Sequence, residues 1–210
     1  KNSVFRNTMK NFYADHNHVW VHKDQLKNAQ GKPTGFTNVA TTQSYRSSKN
    51  PVSKYGQHRI VINSDILTSS GDIGIDKTFL LMALVHEGDH ARMYERQKQT
   101  NSKFTGYPGH IDFLKRESHH NQIASFNRGI MIDAMKEFDN QIKESGGTVP
   151  DYHTDNWYKA MTWYGLRNTK EWKHFKKNNP EKAKKYHQLI KKQIERHKEN
   201  LKDDEDEEQK

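Results

Sequence analysis

The segment Asp76 to Gln97, DKTFLLMALVHEGDHARMYERQ, carries His86, Glu87 and His90 in HExxH spacing within a run of helical periodicity. Residues four apart on a helix lie one above the other, so His86 and His90 can offer two imidazoles to one metal ion, with Glu87 beside it. Asp76 stands where an N-cap belongs, and Phe79, Met82, Ala83, Val85 and His86 continue into Met93 and Tyr94 as an apolar face. Chance placement in a chain with 13 His gives about 0.05 such matches. Two imidazoles on a buried face are costly without a partner, which favours a metal centre over a plain core helix.

The donors open to that metal are restricted. The chain has no Cys, so disulfide scaffolds and thiolate sites are excluded, and zinc must be held by His and carboxylate. Only 31% of the 210 residues are hydrophobic, which fits one domain with a compact core and much solvated length. No apolar run approaches the roughly 18 residues of a membrane span, the longest being Phe79 to Val85. The opening KNSVFRNTMK has neither an initiator Met nor an apolar signal region, so the expectation is a piece of a longer protein.

A formal charge of +9 brings nucleic acid, anionic membrane and acidic protein into consideration as partners. Lys173 to Lys202 concentrates 11 Lys and Arg against 3 Glu, and Asp203 to Lys210 reverses to six acids and one Lys. That pattern reads as a basic helix with a solvated face, followed by a disordered acidic end. The expected organisation is thus a main domain over 1–172, a basic helix over 173–202 and a tail over 203–210.

Along the chain, Val19 to Val21 is β-prone, and Gln30 to Gly56 reads as an irregular loop with one short strand near Phe36 to Ala40. His58 to Leu67 reads as a strand, with Ile60 to Ile66 the candidate edge for pairing an extended peptide through main-chain hydrogen bonds. A second helix is predicted from Ile111 to Glu144, its stripe formed by Ile123, Phe126, Ile130, Met131, Ala134, Met135 and Phe138. Further helices are predicted at Trp157 to Gly165 and Pro180 to Leu201. Strand, short loop, then HExxH helix is the order a zincin site uses. The expected class is α+β and zincin-like: a small mixed sheet packed on the HExxH helix, then a mostly helical C-terminal half.

A catalytic zinc keeps three protein ligands and an open position, so a third ligand is needed. The metzincin extension is absent, because Met93 and Arg96 stand where Gly and His would be. His110, Glu117, His119 and His120 compete, and spacing does not separate them.

Three blocks in order, HEGDHARMYERQ, SHHNQIASFNRGIMIDAMKEFD at 118–139 and WYKAMTWYGLRNTKEW at 157–172, resemble a family of zincin-like metallopeptidase domains. Those domains occur at the C-termini of Rhs and other polymorphic toxin proteins of Bacteroidetes. The resemblance spans roughly Ile60 to Trp172 and implies His86, His90 and His120 as zinc ligands, with Glu87 as the catalytic carboxylate. It departs at Ile123, where Met is usual, and at Asn127, where an aromatic is common. A shorter block, GHIDF at 109–113, is similar to one that gives SprT-like proteases their third His and ranks His110 second.

The resemblance implies a toxic effector, secreted or delivered into a target cell, with a protein or peptide substrate and an immunity protein as partner. Tyr158, His153 and Tyr164 are available to stabilise an oxyanion, and Asp89 or Asp139 to hold a ligand's distal nitrogen. The alternatives are a DNA-associated SprT-like protease using Lys173 to Lys202, an inactive zincin serving as a binding module, and a basic interaction domain whose HExxH is accidental.

Overall fold

A computed structural model describes residues 19–26, 30, 32–33, 39–44, 58–67, 73–99 and 116–207. It is a mixed α+β structure with one small sheet and a mostly helical remainder. The sheet has three strands, β1 Val19–Asp24, β2 Ala40–Ser44 and β3 His58–Asn63, in the order β1-β3-β2. β1 runs parallel to β3 with Val21 opposite Ile60, and β2 runs antiparallel with Thr42 opposite Ile60 and Ala40 opposite Ile62.

This order corrects the expectation for Ile60 to Ile66. β3 is paired on both sides and cannot accept a further strand, so the edge strand on the helix side is β2. The strand also ends sooner than expected. Asn63, fully buried, accepts the backbone N–H groups of Leu26 and Asp65 through its side-chain oxygen, which turns the chain into a 3-10 turn at Ser64–Ile66.

Helix α1, Lys77–Gln99, begins as its sequence requires: the Asp76 carboxylate accepts the Phe79 N–H at 2.9 Å. Phe79, Met82, Val85 and Met93 are buried, and so are His86, Glu87, Asp89 and His90. Burial on several sides makes α1 the central helix. Ala91 and Leu84 pack on Ile60 and Ala40, and Thr42 Oγ1 donates to the Glu87 carbonyl at 2.7 Å, so β2 and β3 cover one side of it.

The second helical region is interrupted. α2, Arg116–Gln122, passes through a π turn at Ile123–Asn127 into α3, Arg128–Glu144. The extra residue per turn rotates the stripe, so Ile123, Ala124 and Asn127 are buried whereas Phe126 is 76% exposed. Phe126 therefore does not belong to the core stripe that regular periodicity assigned it. Downstream the helix is regular, burying Met131, Ala134 and Met135.

α4, Asp155–Met161, is capped by Thr154, and a tight loop then leads to α5, Lys170–Asn178, capped by Thr169. α6, Pro180–Glu207, follows directly. The basic segment is thus two helices, divided at Asn179, where the following proline disfavours helical backbone. It is also built into the core rather than appended to it. Ala183, Tyr186 and Ile190 are buried, and the Trp157 indole N–H donates to Gln193 Oε1 at 2.9 Å. The helix continues through Asp203 to Glu207, where an unstructured acidic end was expected.

One buried charge cluster ties these helices together. His153 Nδ1 lies 2.7 Å from Asp139 Oδ2 on α3, and its Nε2 lies 2.7 Å from Asp76 Oδ2 at the start of α1. Tyr158 and Thr78 both donate to Asp139, Tyr152 donates to Asp76, and the imidazole stacks on Trp157 at 4.0 Å. Burial alone would push the ring toward neutrality, but hydrogen bonds and charge from the two carboxylates outweigh it and raise the His153 pKa to about 9. Burial likewise raises both carboxyl groups, and His153 overcomes it, leaving Asp76 and Asp139 lowered.

The pH dependence follows from these directions. Against an unfolded value of about 6.5, His153 contributes fully below about pH 6.5, and the contribution is lost as pH rises through about 9. The carboxylates contribute above about pH 3.8, and theirs is lost as pH falls below that. Thermal melts should therefore show falling stability from pH 7 to 9. His153→Gln should cost on the order of 3 kcal/mol near neutral pH by leaving two buried carboxylates without their shared cation. It should also remove the alkaline slope; a slope that persists in the variant contradicts this assignment.

Candidate metal centre

α1 brings His86 and His90 to one face, and α2 brings His120 against them. One ring nitrogen from each of the three lies within 4.8 Å of the others. The rings of His86 and His90 are 4.9 Å apart, His90 and His120 4.9 Å, and His86 and His120 5.3 Å. His86 and His90 are buried and His120 is half-buried, leaving one side of the trio toward a cavity.

The donor set fits a metal ion. The Nε2 atoms of His86 and His90 are 3.1 Å apart. Two nitrogens bound to zinc at about 2.0–2.1 Å with a tetrahedral angle are separated by about 3.3 Å, so the pair is close to the edge of such a site. Three neutral imidazoles without thiolate suit zinc among the common divalent ions.

His119 takes a different place from His120. It is fully buried, with its Nδ1 3.1 Å from Nδ1 of His90. With Nε2 of His90 turned to the centre, a proton on its Nδ1 would be donated to His119, which would fix the ring's tautomer and orientation. Neighbouring histidines thus take different positions, one facing the centre and the other lying against His90. Of Asp89 and Asp139, available to hold a ligand's distal nitrogen, Asp139 belongs to the His153 cluster, and Asp89, fully buried, lies 3.1 Å from the Arg92 guanidinium. His110 lies outside the described residues, as does the Glu117 side chain.

An open cavity of about 310 Å³ lies over the trio. His86, Glu87 and His120 form its polar wall, Met82 and Ala83 come from α1, and Val39 and Ala40 enter at the start of β2. Its remaining wall is the loop after α4, with Tyr164, Gly165 and Arg167, closed by Ile194 of α6. Gly165 has φ +75°, and a Cβ there would meet His86 Cε1 at 4.0 Å, so the strain of a side chain would come from the backbone.

That loop is anchored to the helix carrying His119 and His120. Arg128 donates to Thr162 Oγ1 at 3.0 Å and lies 3.5 Å over the Trp163 ring. At the other end, Asn121 Oδ1 accepts the Lys170 N–H at 3.0 Å, and Ser125 donates to Glu171 at 2.7 Å.

Of the three groups expected near an oxyanion, the structure brings one to the cavity. Tyr164 lines it, half-buried, its hydroxyl pushed up to about 12 by burial and therefore protonated at neutral pH. Tyr158 and His153 belong to the charge cluster near Thr78, eight residues or about 12 Å along α1 from His86. Arg167 and Gly165 were not singled out from sequence, although both lie in the 157–172 block that carried the resemblance. Compared with protein families, curated proteins and solved structures, the chain matches none.

These positions separate the candidate ligands experimentally. Purified wild type should bind one zinc, His120→Ala should lose it, and His110→Ala should keep it. His119→Ala should retain the stoichiometry but weaken affinity roughly 10- to 100-fold in chelator competition. Zinc retained by His120→Ala and lost by His110→Ala would transfer the third ligand to the 109–113 block.

Proposed function

We propose that the chain is a zinc-dependent metallopeptidase of zincin-like type. The observation that carries this is the convergence of His86, His90 and His120 at a cavity that Glu87 also lines. A zinc ion held by three neutral imidazoles supplies Lewis acidity, polarising a carbonyl and making water a stronger acid.

The chain's own groups account for the other requirements of amide hydrolysis. The Glu87 carboxylate takes a proton from water and returns it to the departing amine nitrogen as the C–N bond breaks, so that water's OH ends on the acyl carbon. Tyr164, protonated at neutral pH, donates a hydrogen bond to the oxygen that becomes negative. β2 starts at the same cavity, which Ala40 lines, and is an edge strand among the described residues, which suits a substrate bound as an extended peptide.

The three sequence blocks support a more specific assignment, a toxic effector domain secreted or delivered into a target cell and countered by an immunity protein. Among the described residues no helix is long and apolar enough to cross a membrane. The basic side chains of α6 are largely exposed while its apolar stripe is buried, as expected for a solvated helix face. No feature of the site calls for nucleic acid.

Glu87→Gln should keep one zinc and lower peptide hydrolysis by at least about 100-fold, with loss of any toxicity on expression. Loss of zinc in that variant would make Glu87 structural, and undiminished hydrolysis would remove it from the chemistry.

A further inference from the structure

We propose that Arg167 is a carboxylate receptor, so that the preferred substrate carries a carboxylate beside the scissile bond. This rests on the peptidase assignment and adds the substrate class to it. Arg167 lines the same cavity as His86, Glu87 and His120. Among the described residues no carboxylate is paired with it; its one side-chain partner is His187 of α6, at 2.8 Å from Nη1 to Nδ1. A guanidinium cannot accept a hydrogen bond, so Arg167 donates there. Its other N–H groups remain for a ligand.

Arg92 is paired with Asp89, and Lys136 and Lys159 share Asp155, whereas Arg167, like Arg128, has a side-chain partner that is not a carboxylate. The remaining walls, Val39, Ala40, Met82, Ala83 and Ile194, provide no competing charge. Guanidinium is the side chain best shaped for bidentate binding of a carboxylate, and a partly dry cavity strengthens that pairing.

The receptor is also held in place. Leu166, fully buried, donates its N–H to the Trp163 carbonyl at 3.0 Å, and Thr169 Oγ1 donates to the Leu166 carbonyl at 2.7 Å. The backbone on both sides of Arg167 is thus fixed before substrate arrives, which lowers the ordering cost of binding. Three neutral ligands would leave Glu87 as the carboxylate facing a bound dication among the described cavity residues, and a formal charge of +9 attracts anionic substrates from a distance. The carboxylate could be a chain's C-terminus or an Asp or Glu side chain, which predict carboxypeptidase and endopeptidase action respectively.

The test is cleavage of a proteome-derived peptide library by zinc-loaded wild type and Arg167→Gln, read by mass spectrometry, with half the library amidated at all carboxylates. Wild type should cut the unblocked half at least 10-fold faster, at sites enriched for a neighbouring acid or confined to the C-terminus. The position of the cuts identifies which carboxylate is recognised. Arg167→Gln should lose that preference while still binding one zinc, and Arg167→Lys should recover part of it. Equal cleavage of both halves by wild type, or a preference that survives in Arg167→Gln, overturns the receptor and leaves the peptidase standing. No cleavage of either half by the zinc-loaded wild type overturns the peptidase assignment and the receptor with it.

Discussion

Four histidine rings meet at one place in a chain whose apolar content is low, and the cost of burying them constrains much of the surrounding architecture. His86, His90 and His120 face one another, with His119 behind His90. Nitrogen lone pairs removed from water need protons or a metal to satisfy them. A shared cation at the centre would satisfy the nitrogens that face one another, and His119 lies within hydrogen-bond distance of the distal nitrogen of His90. The central position of α1, with the sheet on one side and α2 and α3 on another, follows from the need to hold that arrangement dry on all sides but one.

Two other interactions fix the elements that bring the rings together. The Asp76, His153 and Asp139 cluster joins the start of α1 to α3 and to the approach of α4. At the other end, Arg128 and Asn121 bind the loop carrying Tyr164, Gly165 and Arg167 to the helix that supplies His119 and His120. His120 and the cavity wall are therefore held as one unit, joined to α1 also through the distant charge cluster. His153, which sequence suggested near the chemistry, acts on it through this packing.

Local signals were legible where local physics decides. The Asp76 cap, the run of α1, the strand at His58 and the glycine end of α3 all follow from residues within a turn or two. What escaped depends on partners far along the chain. Nothing in Ile60 to Asn63 tells a central strand from an edge one, because that is decided by β1 and β2. The π turn at Ile123–Asn127 breaks the period of 3.6 on which the stripe was counted, so Phe126 was misplaced. The same periodicity could not separate His119 from His120, since both face inward for different reasons. The basic C-terminal segment reads as a mostly solvated helix because Tyr186, Ile190 and Gln193 are sparse among lysines, although they are enough to bury one face of α6.

The central claim is a zinc ion held by three imidazoles with one position left open. X-ray absorption at the zinc edge of the purified protein tests it most directly. A shell of four light atoms at about 2.0–2.1 Å, with the outer scattering of three imidazoles, is the result this account predicts. No bound zinc after loading, or a shell with fewer than three imidazoles, would contradict it.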